Sequence, residues 1–283
     1  MSDRNGLGRG PRAGGVRTLA GLLAGILLSA VAPGESSAQI SARPVTLEFP
    51  PGAVAERTVT VRNEGDAPRQ FSFYSADYDR SEQGRFRFLE LGEHTRSCQD
   101  RLSIQPDGVS VSPGGTAEIR VRMGPGPETC WSMVFAEVGG ATRRGISVNQ
   151  RIGIKVFGLG AGVEREGAVR SVTVEDGTES PVVRVLFANE GDMPLRVTGS
   201  MEVRSLQGAS VWETDVEPFS VLPGRSLEVD VPVSAELEAG SYLAIPILDY
   251  GADALAGGQA RFRLPLASSD SATAAPSGEG AGR

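Results

Sequence analysis

Two distant stretches of this chain spell nearly the same turn, and that repetition constrains the fold more than any other feature. One reads Thr60-Val61-Arg62-Asn63-Glu64-Gly65-Asp66-Ala67-Pro68 and the other Leu186-Phe187-Ala188-Asn189-Glu190-Gly191-Asp192-Met193-Pro194. Each follows an apolar strand-like run. Asn tolerates a left-handed backbone, Gly supplies positive φ, and Pro starts the next extended segment. A second echo follows in the same order: Val109-Ser110-Val111-Ser112-Pro113-Gly114-Gly115-Thr116 matches Phe219-Ser220-Val221-Leu222-Pro223-Gly224-Arg225-Ser226. A third pairs Cys130-Trp131-Ser132-Met133-Val134-Phe135 with Ser241-Tyr242-Leu243-Ala244-Ile245-Pro246. Three echoes in one order describe a duplicated unit.

The runs Thr58-Val59-Thr60-Val61, Gln70-Phe71-Ser72-Phe73, Ala117-Glu118-Ile119-Arg120-Val121 and Glu228-Val229-Asp230-Val231 alternate apolar with polar residues. That is the period of a strand with one buried face. Helical periodicity is absent, and 37 Gly and 18 Pro punctuate the short runs. The fold class expected is all-β: two tandem immunoglobulin-like Greek-key β-sandwiches. Strands are predicted over 43–49, 56–63, 68–76, 85–91, 109–112, 116–123, 130–138 and 145–157. In the second unit they are predicted over 167–175, 181–188, 194–204, 209–215, 219–222, 225–233, 240–249 and 259–266. The segment 92–108 reads as irregular. The units span 39–158 and 163–266, joined by the hinge-like Gly158-Leu159-Gly160-Ala161-Gly162. The Ser/Ala/Gly-rich 267–283 cannot bury a core and reads as a disordered tail.

Residues 1–38 read as a secretory signal peptide. Arg4, Arg9, Arg12 and Arg17 precede an apolar run from Leu19 to Val31, and Ser36-Ser37-Ala38 offers a small-residue cleavage site. The run is shorter than the roughly 20 residues a spanning helix needs, and no later stretch is long and apolar enough to cross a bilayer. The expected location is therefore the periplasm, or the cell surface. The formal charge of −7 becomes about −9 without that segment. No basic stripe remains to displace counterions from nucleic acid.

Cys98 and Cys130 are the only cysteines. An even count in an exported chain implies one disulfide. It would pin the 92–108 segment to a late strand and contribute about 3 kcal/mol by closing that loop.

Catalytic constellations are missing. With His94 as the single histidine, Ser-His-Asp and Cys-His arrangements are closed, and an enzyme is not expected. His94 reads as an ordinary exposed loop residue. Asp77, Asp79 and Glu82 could supply oxygen ligands for calcium, but the segment Ser81-Glu82-Gln83-Gly84 reads more simply as a solvated hairpin tip. Neither metal nor cofactor is expected. Trp131 beside Cys130 fits a ring packed near a disulfide inside a sandwich better than a glycan platform.

The most informative strand runs from Ile146: Ile-Ser-Val-Asn-Gln-Arg-Ile-Gly-Ile-Lys-Val-Phe. Ile146, Val148, Ile152, Ile154 and Val156 share one face, interrupted by Gln150. At roughly 12 residues it is about twice the usual strand length. Long apolar edges recruit partner strands, and chains that keep one use it for β-augmentation. Ile154-Lys155-Val156-Phe157, ending such a strand just before an interdomain seam, resembles the PapD-like periplasmic pilus chaperones. The segment Arg43-Pro44-Val45-Thr46-Leu47-Glu48-Phe49, the Asn-Glu-Gly-Asp turn and Val111-Ser112-Pro113-Gly114-Gly115 are similar to that family as well.

The resemblance covers most of residues 40–160. It implies a chaperone that binds pilin-like subunits by strand donation, without ATP. The lending residues would be Ile146, Val148 and Gln150, with Ile152 continuing their face, and Lys155 would hold the subunit's terminal carboxylate in the interdomain cleft. The family pairs that Lys with an Arg on its first strand. Here Thr46 occupies the aligned position, with Arg43 the nearby candidate. The family's Arg-Pro after the aromatic residue is replaced by Gly158-Leu159. The alternative reading is a structural or adhesive surface protein built from immunoglobulin-like spacers.

Overall fold

The computed structural model describes residues 40–140, 142–143, 146–175, 180–234 and 237–264, and at 142–143 and 146–147 the backbone alone. The expected signal peptide and the expected tail lie outside the described residues.

Chain order runs β1 (Ile40–Arg43), β2 (Thr46–Phe49), β3 (Ala55–Asn63), β4 (Arg69–Arg80), β5 (Phe86–Leu89), β6 (Leu102–Gln105), β7 (Gly108–Val111), β8 (Thr116–Met123), β9 (Cys130–Val138), β10 (Thr142–Arg143), β11 (Ile146–Ser147) and β12 (Gln150–Gly158). It continues with β13 (Gly167–Glu175), β14 (Val182–Asn189), β15 (Leu195–Ser205), β16 (Ser210–Val221), β17 (Ser226–Pro232), β18 (Gly240–Asp249), β19 (Ala256–Gly257) and β20 (Ala260–Leu264). The described chain is all-β. In the first sandwich one sheet has the order β1-β3-β8-β6 and the other β2-β12-β9-β4-β5, with β7 also on β4. In the second, β13-β14-β17 face β16-β15-β18-β19, with β20 also on β18.

Alternation places the cores as expected. Val59, Val61, Ile119, Val121, Ile154 and Val156 turn inward and are fully buried in the first sandwich. Val183, Val185, Phe187, Met201 and Val203 do the same in the second. Several strand limits differ from those predicted. The 43–49 strand divides at Pro44, with β1 on β3 in one sheet and β2 on β12 in the other; proline has no N–H to give a ladder. The 209–215 and 219–222 runs join into β16, an edge strand that tolerates Pro218 because one margin is unpaired. Part of the supposedly irregular 92–108 segment is the short strand β6, paired with β8.

The repeated motifs meet each other in space. The buried Asn63 side chain donates from Nδ2 to Ala67 O (2.8 Å) and Val111 O (3.0 Å), and its Oδ1 accepts from Gly65 N–H (3.0 Å). Asn189 does the same with Met193 O (2.8 Å), Val221 O (3.0 Å) and Gly191 N–H (3.1 Å). The partner turns close the ring, with Gly114 N–H on Asn63 O and Gly224 N–H on Asn189 O. Positive φ sits at Gly114 (68°) and Gly224 (67°), and neither Gly65 nor Gly191 is in that region. The Asn-Glu-Gly-Asp turn is thus held by a buried amide, not by the left-handed glycine expected from its sequence. Asn63→Ala should lower stability by about 2–3 kcal/mol, because it leaves buried carbonyls without donors. Asn189→Ala should do the same in the second sandwich. Urea unfolding checks both; losses under about 0.5 kcal/mol, the level of an ordinary surface substitution, would deny the amide this role.

Candidate functional site: an open strand margin and a cationic crevice

The site is built around β12. Residues Gln150–Gly158 pair antiparallel with β9, from Gln150↔Val138 to Gly158↔Cys130. On the opposite margin β2 runs parallel only from Lys155↔Thr46 to Gly158↔Phe49, and Lys155 N–H donates to Val45 O at 3.0 Å. Among the described residues no strand covers that margin from Gln150 to Ile154. Backbone groups alternate sides along a strand. Arg151 and Gly153 share the parity of Lys155, so their N–H and C=O groups point to the open side.

The expected 145–157 strand is not continuous. It breaks at Val148–Asn149, and Ile146–Ser147 pair instead with Thr142–Arg143 as a two-stranded ribbon. At the break the Asn149 side chain is tied back to the end of β9: Nδ2 donates to Glu137 Oε1 (3.1 Å) and Oδ1 accepts from Gly140 N–H (3.4 Å). Val148 is 63% exposed at this point, Gln150 and Ile152 are half-buried, and the Ile146 side chain lies outside the described residues.

Lys155 lines a crevice of about 150 Å³ whose walls come from both sandwiches. Thr46, Glu48, Lys155 and Phe157 belong to the first, and Pro194, Leu195, Arg196 and Ser220 to the second. The ammonium has no ion pair among the described residues. Burial, followed by the positive charge of Arg80, lowers its pKa from the ordinary lysine value. Arg80 is anchored by donating from Nε to Gly84 O (3.0 Å) and from Nη1 to Ser220 O (2.9 Å). Arg43 ends β1 in the other sheet, opposite Thr60, and is exposed and not among the residues lining the crevice.

The β4–β5 hairpin, read from sequence as a solvated tip, joins the sandwiches. Arg225 donates from Nε and Nη2 to the two Asp79 carboxylate oxygens (2.9 and 2.8 Å). Burial pushes the Asp79 carboxyl up, but hydrogen bonds from Arg225 and Arg80 N–H outweigh it and hold it below the usual range. Beside this pair, Glu228 N–H donates to Glu82 O at 2.7 Å. Asp77 is fully buried and accepts from Ser97 Oγ and Ser132 Oγ (both 2.9 Å), Gly92 N–H (2.8 Å) and His94 N–H (3.1 Å). These carboxylates are committed to structure.

Trp131 does not pack between the two sheets of its own sandwich. It faces outward into a cluster with Tyr78, Met133, Phe135, Phe157 and, from the second sandwich, Leu222, and its Nε1–H donates to Tyr78 O at 3.0 Å. His94 is half-buried rather than exposed, its ring tilted against Trp131 with centroids 4.9 Å apart. Its Nδ1 accepts from Arg96 N–H, and burial lowers its pKa. The Cys98–Cys130 disulfide is formed, with Cα atoms 5.2 Å apart, and ties this loop to the start of β9. Sequence reasoning missed Arg80, Arg196 and the Asp79–Arg225 pair. The only available signal was an Asp and an Arg flanking a turn.

Fold and site together define a two-domain β-sandwich protein with a partly uncovered strand and a cationic crevice between its domains. Among solved structures it is similar to chaperones of fimbrial assembly. A chain from the chaperone–tip adhesin complex of CFA/I fimbriae is 14% identical, with 79% of this chain and 98% of that one covered and a TM-score of 0.46. The archaic chaperone-usher pre-assembly complex CsuC–CsuE of Acinetobacter baumannii gives 10% identity, 81% and 100% coverage and a TM-score of 0.44. The Pseudomonas aeruginosa chaperone CupB2 gives 19%, 80% and 100%, and 0.37. No protein-family model matches the chain, and no curated protein does.

Proposed function

We propose that this protein is a non-catalytic periplasmic chaperone that holds pilin-type or other secreted subunits by strand addition to β12. The observation that carries the reading is the juxtaposition of an uncovered margin at Gln150–Ile154 with a half-buried, unpaired ammonium at Lys155. An extended partner chain would bond to the backbone of Arg151 and Gly153 and extend toward Val148, Gln150 and Ile152. Lys155 would receive its terminal carboxylate. Each strand bond contributes roughly 1 kcal/mol, and association entropy offsets much of the sum. Affinity would therefore depend on the half-buried ammonium and on the apolar part of the crevice wall at Phe157, Pro194 and Leu195. The sequence resemblance of residues 40–160 supports the same reading. No helix among the described residues is long and apolar enough to cross a membrane.

A photo-crosslinking residue at position 148 should join the protein to a pilin-like subunit in periplasmic extracts, and one at Val211, which is also exposed, should not. Val148→Asp, placed against an apolar partner groove, should reduce complex recovery at least about tenfold, given the cost of an unpaired charge there. Adducts of equal yield at 148 and 211, or unchanged recovery for Val148→Asp, would reject strand addition. One observation favours an adhesive surface protein instead: Tyr74, Phe86 and Phe88 leave rings exposed on the outer sheet face. Surface labelling of intact cells separates the two readings.

A further inference from the structure

The crevice has a cation on each wall. Lys155 projects from β12 of the first sandwich, and Arg196 lies on β15 of the second, opposite Ser220 in register. We propose that Arg196 is the second anion-holding residue of this site. A carboxylate of the partner is then gripped between the two sandwiches, and its capture depends on the Asp79–Arg225 pair that spaces them. This inference rests on the chaperone reading above.

The first-sandwich wall offers Lys155 no cationic companion. The residue opposite it on β2 is Thr46, which carries no charge, and Arg43 belongs to the other sheet. Arg80 is near, but two of its donors are already spent on Gly84 O and Ser220 O, so it acts mainly as a fixed positive charge. Arg196 is exposed and lines the crevice, and among the described residues it makes no ion pair. Its planar fork suits a carboxylate, which it can meet with two parallel N–H bonds while Lys155 supplies a point charge. Glu48 also lines the crevice and is paired with neither cation. Its charge disfavours a dianion such as phosphate and leaves a monocarboxylate as the fitting ligand.

The spacing of the two cations is fixed from outside the crevice. The bidentate Arg225–Asp79 pair, Glu228 N–H on Glu82 O, and Arg80 Nη1 on Ser220 O all tie the β4–β5 hairpin to the second sandwich. Ser220 is itself a wall residue beside Arg196. Loosening the Asp79–Arg225 pair would let the cations separate, and the bridging carboxylate would lose one of them.

The test uses the full chain and three probes. These are the peptide acetyl-Val-Thr-Val-Thr-Val-Phe with a free carboxylate, its C-terminal amide, and an amide in which Asp replaces Phe. Affinities and the arginine Nε–H signals are read by NMR titration. The wild-type protein should prefer the free carboxylate over the Phe amide by about tenfold or more, as expected for charge-assisted hydrogen bonds. Arg196→Ala should cut that preference to about twofold to threefold, and Arg196→Lys should restore part of it. Arg225→Ala should also reduce it without touching the peptide, and the near-ultraviolet tryptophan signal, from Trp131 and Trp212, checks that this variant remains folded. If Arg196→Ala keeps the full preference while Lys155→Met loses it, the inference falls and the chaperone reading stands. If Lys155→Met keeps it, or the wild-type protein has none, both fall. An unchanged preference in folded Arg225→Ala overturns the dependence on spacing. Tight binding of the Asp amide supports the two-cation grip and assigns it to a side-chain carboxylate.

Discussion

Asp77→Ala should destabilise the protein by about 3–5 kcal/mol, the largest single loss expected from a side chain outside the apolar cores. Four donors converge on this one carboxylate: two hydroxyls and two backbone N–H groups. Removing it takes this acceptor from all four in a site where Asp77 itself is fully buried, with only Gly92 N–H keeping another, Ser97 Oγ at 3.2 Å, and unmet buried donors cost more than a made hydrogen bond contributes. Three of the donors, Gly92, His94 and Ser97, belong to the loop that the disulfide anchors at Cys98. Ser132 Oγ also accepts from Cys98 N–H. The variant should therefore loosen the His94–Trp131 ring contact as it loses stability. Urea unfolding followed by far-ultraviolet circular dichroism gives the loss, and tryptophan fluorescence before the transition reports the ring contact. A loss below about 1 kcal/mol would mean the loop is held by Cys98–Cys130 and packing alone. Asp77→Asn tests the chemistry further, since its Oδ1 can keep some of these donors while its amide group clashes with the others.

Asp77 also marks the limit of what the sequence disclosed. Alternation placed Val59, Ile119, Ile154 and Val156 on inner faces because a strand's period is local. The three echoes identified two similar units because each echo is a contiguous string. Asp77, Asp79 and Glu82 stood in the same short acidic run, and sequence gave no reason to separate them. Their fates depend on partners far along the chain: Ser132 for Asp77, Arg225 for Asp79, and the Glu228 backbone for Glu82. Arg196 escaped notice for the same reason. It lies on an ordinary alternating strand, and its significance comes from lining, with Lys155, a crevice between two sandwiches distant in sequence. The break at Val148–Asn149 was hidden because Asn149 fits the alternation. Its side chain leaves the strand only to reach Glu137 and Gly140, and that choice is made by geometry rather than by pattern.

Lys155→Met should weaken binding of the free-carboxylate peptide by about 10-fold to 100-fold, the range expected when one partner of a charge-assisted hydrogen bond is removed. The same change should make the unliganded protein slightly more stable. In the folded state the lysine pKa lies below its ordinary 10.5, lowered by burial and then by Arg80. Between the folded and the ordinary value the unfolded chain binds more protons, so stability rises with pH across that window. At neutral pH the free protein carries the whole penalty of a charge held half out of water beside another cation. Methionine keeps most of the side chain's length and packing and removes that penalty. A bound carboxylate reverses the balance by pairing the ammonium and raising its pKa. Affinity should accordingly fall at alkaline pH, as Lys155 loses its proton below the ordinary lysine range, and Lys155→Arg should shift that fall to higher pH. Thermal unfolding of the free proteins and peptide titration from pH 7 to pH 10 measure the two effects separately. A residue that only supported the fold would lose stability and binding together. Opposite signs, a more stable protein that binds less well, are what an unpaired cation kept for an incoming anion requires.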